Sequence, residues 1–283
     1  MNEVLFIKTF CLIGAMLIIT SIGAKLNKVY ETTAECAITV GGMIGFATMV
    51  HIHADEYPMN LFCLGMVSLF FGWALGPAIT GLGNRFMFRK FLEKIGIETK
   101  TVEVKTKWSW LAKDKMNKTQ YYYKDAPEKV FEENSPEVLE FIRRFKEEVL
   151  EHEREQLANK WKNMVTLAII STALAVFLTA SIVWFSNVDF GFLGGFLTVV
   201  LAILALTKLS KSLTPNASIY SLPLIIVGII HAILLLIYDF NRLEKALAAG
   251  DESWSTAVKI SLSIYLDIIW LFIQILELLA NEG

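Results

Sequence analysis

Long apolar runs separated by short polar breaks dominate this chain. Seven runs approach or exceed the roughly 17–25 residues that cross a hydrocarbon layer about 30 Å thick as a helix. They cover residues 4–24, 34–50, 59–82, 164–186, 190–207, 219–238 and 256–280. One long polar stretch interrupts them. Between Gly83 and Asn163 lie 18 of the 26 Lys and Arg and 15 of the 28 Asp and Glu, a density that hydrocarbon cannot accept. The pattern predicts an all-α integral membrane protein, a seven-transmembrane-helix bundle with a small α+β soluble insertion between spans three and four. Its parts are residues 1–83, 84–162 and 163–283.

The insertion has periodicities of its own. "NRFMFRKFLEKIG" places Phe88, Phe91, Leu92 and Ile95 on one side of a helix, with Gly96 as its C-terminal stop. "TVEVKTKWSW" alternates with period two, setting Val102, Val104, Trp108 and Trp110 on one strand face, and "TQYYYK" is its candidate hairpin partner. Ser135 and Pro136 then open a helix with an apolar stripe of Val138, Ile142, Phe145 and Val149. Glu140–Arg144 and Arg143–Glu147 are expected on its outer face, and the helix is expected to run on into span four. The strand face and the stripe are of a size to form a common core, and the charged surface is a candidate site for a protein partner.

Composition narrows the class. Apolar residues make up 54% of the chain, mean hydropathy is +0.50 and net charge is −2, so the lipid bilayer is the expected partner and nucleic acid is not. The first run has full spanning length without a small-residue cleavage site, so it is expected to remain in the mature protein. Cys11, Cys36 and Cys63 all fall inside spans and read as small buried hydrophobes. His51 and His53, near Asp55 and Glu56, read as a solvated loop rather than a metal site. Bases cluster beside span ends in alternate loops, at Lys25 and Lys28, at Arg85, Arg89, Lys90, Lys160 and Lys162, and at Lys208 and Lys211. By the positive-inside rule the insertion and the C-terminus are cytoplasmic.

Candidate chemistry lies in the last two spans. Lys259, Ser263, Asp267, Trp270, Gln274 and Glu277 follow one another at intervals of three or four, forming one polar face of a helix otherwise built of apolar residues. An Asp at the centre of a span costs roughly 2.5–3.5 kcal/mol on insertion scales, so that face must meet protein or water. The sixth run leads through Asp239 to Gly250. Asp239 and Asp267 are equidistant from Ser253, so a tight antiparallel hairpin sets them at equal height. Two carboxyls that close cannot easily both ionise, and one should hold a proton. Supporting candidates are Ser263, Asn241, Arg242, His231 and Gln274. Asp239 paired with Arg242, or His231 simply packed in the core, are the plainer alternatives. No nucleophile with a base is evident, so no enzyme is expected.

"SLSIYLDIIWLF" resembles the C-terminal signature of the Bax inhibitor-1, or transmembrane Bax inhibitor motif, family, and "LLIYDFNRLEKA" is similar to the Asp-Thr-Gln stretch of its sixth span. "MNLFCLGMVSLFFGWALGPAI" and "DFGFLGGFL" look like its third span and the start of its fifth. The resemblance implies a seven-helix protein that leaks calcium in a pH-dependent manner, with Asp239 and Asp267 as the pH-sensing pair and candidate calcium ligands. It implies no cofactor, calcium and protons as the ions handled, and a role in calcium homeostasis and in cell death or stress responses. It also implies endoplasmic reticulum or other endomembrane in a eukaryote, or the plasma membrane in a bacterium. "YDFN" departs from Asp-Thr-Gln, and "HIHADEYP" after span two lacks the arginine that latches the pair in some members. A non-transporting scaffold whose insertion recruits a partner is the alternative.

Overall fold

A computed structural model of the chain describes residues 3–105, 115–132, 135–147, 149, 154–186, 188–213 and 222–282. Its elements in order are α1 (Glu3–Leu26), α2 (Thr33–Ile52), α3 (Met59–Lys94), β1 (Ile97–Lys105), β2 (Lys115–Tyr123) and β3 (Ala126–Glu132). They continue with α4 (Pro136–Arg144), α5 (Arg154–Phe185), a 3-10 turn (Phe190–Phe192), α6 (Leu193–Leu213), α7 (Leu222–Ala248) and α8 (Trp254–Glu282). Among the described residues seven helices, all but α4, are long and apolar enough to cross a membrane. The fold is a seven-span bundle with a small α+β insertion between the third and fourth spans.

Local chemistry sets the ends. Thr32 caps α2 by accepting from the Glu35 amide at 3.1 Å. Gly96 and Gly250 end α3 and α7 at φ of +73° and +72°, a left-handed backbone that a Cβ disfavours. Ser253 caps α8 through the Thr256 amide at 3.2 Å, while Asp251 accepts from the Ser253 amide and the Thr256 hydroxyl. These bonds hold the Asp251 carboxyl below its ordinary range, the one with the Thr256 hydroxyl most of all.

The last helix is the axis of the bundle. Of the apolar stretch of α8, 56% is buried, against 11% for α2 and for α6, because α8 alone packs on α1, α2, α3, α5 and α7 together. Tyr265 of α8 is fully buried, and its hydroxyl lies 2.5 Å from Thr20 Oγ1 of α1. Glycines permit the tight α1–α3 contact. A Cβ at Gly72 would overlap the Thr20 carbonyl, and one at Gly76 the Ala24 and Asn27 carbonyls. The same small-residue spacing in α2 has another outcome. Gly41 and Gly45 face open space, whereas Gly42 lies beneath the Phe70 ring. In α6 it is Gly194, not Gly195, that meets a neighbour, Tyr238.

Both predicted boundaries of the insertion fall within continuous helices. With 36 residues α3 is about 54 Å long, so about 24 Å of it projects beyond a hydrocarbon layer about 30 Å thick. With 32 residues α5 likewise starts well before its apolar part. The projecting ends are stalks, and they build the insertion's core: Phe86, Phe91 and Leu92 of α3 pack with Ile97, Tyr121, Val138, Phe141, Phe145 and Val149. The Phe145 ring lies 5.2 Å from Phe88 and 5.8 Å from Phe91. Of the predicted stripe Val138, Phe145 and Val149 are buried, and Ile142 packs at the edge. Trp108 and Trp110 lie outside the described residues, as do the side chains of Val102 and Val104.

The predicted hairpin forms, with Val102 opposite Lys118 and Val104 opposite Met116. A third antiparallel strand, β3, adds to β2. Its sequence, "APEKVFE", has too few apolar residues to announce itself. Ser135 caps α4 and Pro136 is its first residue, as expected. Arg143 pairs with both Glu140 and Glu147. Residues 150–153, where a continuous helix into span four was expected, lie outside the described residues. In the loop after α2, His53 Nδ1 is 2.7 Å from Glu56 Oε2 on the surface, a local pair.

Candidate functional site

The turn at Gly250 and Ser253 folds α7 and α8 into an antiparallel pair, and the two acids meet there. Asp239 and Asp267 are 5% and 7% exposed, with their carboxyls within hydrogen-bonding reach of one another. Asp267 Oδ2 has no protein partner among the described residues. A guanidinium completes the cluster. Arg242, one turn on from Asp239, donates from Nη1 to Asp239 Oδ1 at 3.0 Å and lies 5.8 Å from the Tyr238 ring. The plainer alternative, an Asp239–Arg242 pair, thus occurs beside the second carboxyl.

A cavity of about 440 Å³ opens on this cluster. Ser263, Trp270 and Tyr238 line it beside the three charged residues, and Phe71 of α3 and Leu201 of α6 supply apolar walls. Neither wall residue carries a signal in sequence, since each reaches the cavity from a helix distant in the chain.

The other supporting candidates lie elsewhere. Asn241 turns away from the pair toward the start of α6, where its Oδ1 accepts from the Phe190 amide at 3.3 Å and its Nδ2 donates to Asp189 at 3.2 Å. Two residues from Asp239 on a helix means a direction about 200° away. Lys245 joins Asp189 at 2.7 Å. Lys245, the Gly191 amide and Asn241 together hold the Asp189 carboxyl down at about 2, so it stays ionised through the physiological range and cannot be a pH sensor there. His231 is buried, with Nε2 3.0 Å from the Leu197 carbonyl of α6, a packed histidine. Gln274 is fully buried against Gly228 of α7. Glu277, the last residue of the polar face, is only 7% exposed.

As a metal site the pair is sparse. A resident calcium ion takes six to eight oxygens, and among the described residues no group of three or more His, Cys, Asp or Glu side chains converges. Two carboxylates suit a passing cation better than a held one. Residues 157–283, which carry the last four spans and the pair, match the family model described as "Inhibitor of apoptosis-promoting Bax1". These four spans form a Bax inhibitor-1 family domain. The Bax inhibitor-1 match begins in the α5 stalk and leaves the first three spans and most of the insertion outside it. No curated protein matches the chain.

Proposed function

We propose that this multi-pass membrane protein is a proton-gated cation leak, with calcium as cargo and no resident cofactor, and that Asp239 and Asp267 are its sensor. The observation that carries the reading is the charge balance of a cluster whose two carboxyls are buried. Two carboxyls and one guanidinium are together neutral when the carboxyls share a single proton. In that state a carboxyl-to-carboxylate hydrogen bond holds α7 to α8. Loss of the proton leaves an uncompensated negative charge beside a cavity. Two unit charges about 4 Å apart repel by about 4 kcal/mol at an effective dielectric of about 20, enough to separate the helices or to draw in a cation. A coupled two-state element with a proton as its ligand follows.

The test is calcium flux into liposomes bearing the purified protein, measured across pH. Flux should rise from mildly acidic to mildly alkaline conditions. Background flux at every pH would defeat the leak and favour the scaffold reading, in which the insertion recruits a partner. Under the proposal the protein tunes stored calcium, and thereby stress or cell-death responses, from an endomembrane in a eukaryote or the plasma membrane in a bacterium.

Orientation belongs to the same proposal. Lys8 of α1 donates to the Glu252 carbonyl, so the start of α1 and the α7–α8 turn share one side. Bases near span ends put the opposite side, with the insertion, in the cytoplasm. In protein lacking Cys11, Cys36 and Cys63, an impermeant thiol reagent applied from outside should label Glu252→Cys and spare Lys124→Cys, both exposed positions. The reverse pattern would invert the topology.

A further inference from the structure

Two turns along α8 from Asp267, and on the same face, lies a polar side chain that the carboxyl pair does not use. Gln274 is fully buried, and no protein group among the described residues hydrogen-bonds to either of its amide atoms. It is also specifically accommodated. A Cβ at Gly228 would overlap the Gln274 amide oxygen, so the amide head occupies space that only glycine on α7 leaves free. One turn along α7 from Gly228, His231 has its Nε2 on the Leu197 carbonyl, while Nδ1 has no protein partner among the described residues.

Each buried polar group without a partner costs stability, and an amide carries both donors and acceptors to satisfy. A residue needed only for packing between two apolar helices would be served better by Leu or Met. The ligand that satisfies a buried amide donor and amide acceptor alike is water, and the same holds for the imidazole nitrogen. Seven residues separate Gln274 from Asp267, about 10 Å along the helix. Building on the leak reading, we infer that the α7–α8 seam is hydrated from the carboxyl pair to Gln274. Gln274 is then a second polar station, where water and a partly hydrated cation are passed on, and Gly228 makes room for its amide head.

The experiment reads hydration separately from flux. In vesicle-embedded protein lacking Cys11, Cys36 and Cys63, Gln274→Cys and Leu271→Cys are treated with a small charged thiosulfonate. Leu271 is equally buried but apolar. The reagent needs a thiolate and therefore water, so position 274 should react at least about tenfold faster than position 271. Equal rates would overturn the inference, whether or not the wild type conducts. In the flux assay, Gln274→Met and Gly228→Ala should each lower conduction several-fold while keeping its pH response, with elution as a folded species confirming integrity. Unchanged flux in Gln274→Met together with higher thermal stability would mean a dry, misfitted amide and would also overturn it. A silent wild type that still labels at position 274 would remove the leak reading and leave the hydrated seam.

Discussion

Asp239→Asn and Asp267→Asn should each abolish the pH response of calcium flux, leaving a rate nearly constant from mildly acidic to mildly alkaline conditions. Asn preserves the size and hydrogen-bonding capacity of Asp but cannot ionise, so the bundle keeps its packing while the cluster loses a titrating member. With one carboxyl left, the repulsion of about 4 kcal/mol that separates the two states of the pair disappears, a term worth nearly three orders of magnitude in their ratio. Lys245→Gln is the matched control. It lies on the same helix and carries charge, but its partner is Asp189 in the loop before α6 and not the carboxyl pair. That variant should retain the wild-type pH profile. An unchanged profile in both Asn variants would show that the pair shares no functional proton.

The second large effect concerns assembly. Gly76→Val should sharply lower the thermal midpoint of the purified protein or prevent its accumulation, whereas Gly41→Val should be nearly silent. Both are glycines within spans and both lie at four-residue spacing from another small residue, so their sequence contexts are alike. At Gly76 the new Cβ would meet the Ala24 and Asn27 carbonyls, which are backbone and cannot swing aside. Forcing α3 from α1 there costs about 1–3 kcal/mol or more, and it also strains the nearby link between Thr20 and Tyr265. At Gly41 nothing among the described residues lies within 4 Å, so the added side chain faces lipid and the change should stay within about 0.5 kcal/mol. Equal midpoints for the two variants, measured by thermal unfolding in detergent, would mean that the α1–α3 contact is not tight.

The sequence alone determined the number of spans, the existence of the insertion, its hairpin, the caps at Gly96, Ser135 and Gly250, and the facing of Asp239 and Asp267. All of these rest on information local to the chain: the length of an apolar run, a period of two or 3.6, a residue type demanded by a backbone angle. The carboxyl pair is legible for the same reason, because a tight hairpin converts distance from its turn into height. What lies between helices remote in sequence needed the tertiary structure. Spacing shows that small residues recur, yet only the rotation of each helix about its axis decides that Gly72 and Gly76 meet a backbone while Gly41 and Gly45 meet none. The same rotation carries Asn241 to Asp189 in the loop before α6. Phe71 and Leu201 become walls of the cavity by packing alone. The insertion's core draws on Phe86, Phe91 and Leu92 because the stalk of α3 outlasts the membrane, and no local pattern separates a helix that stops at the interface from one that continues into water.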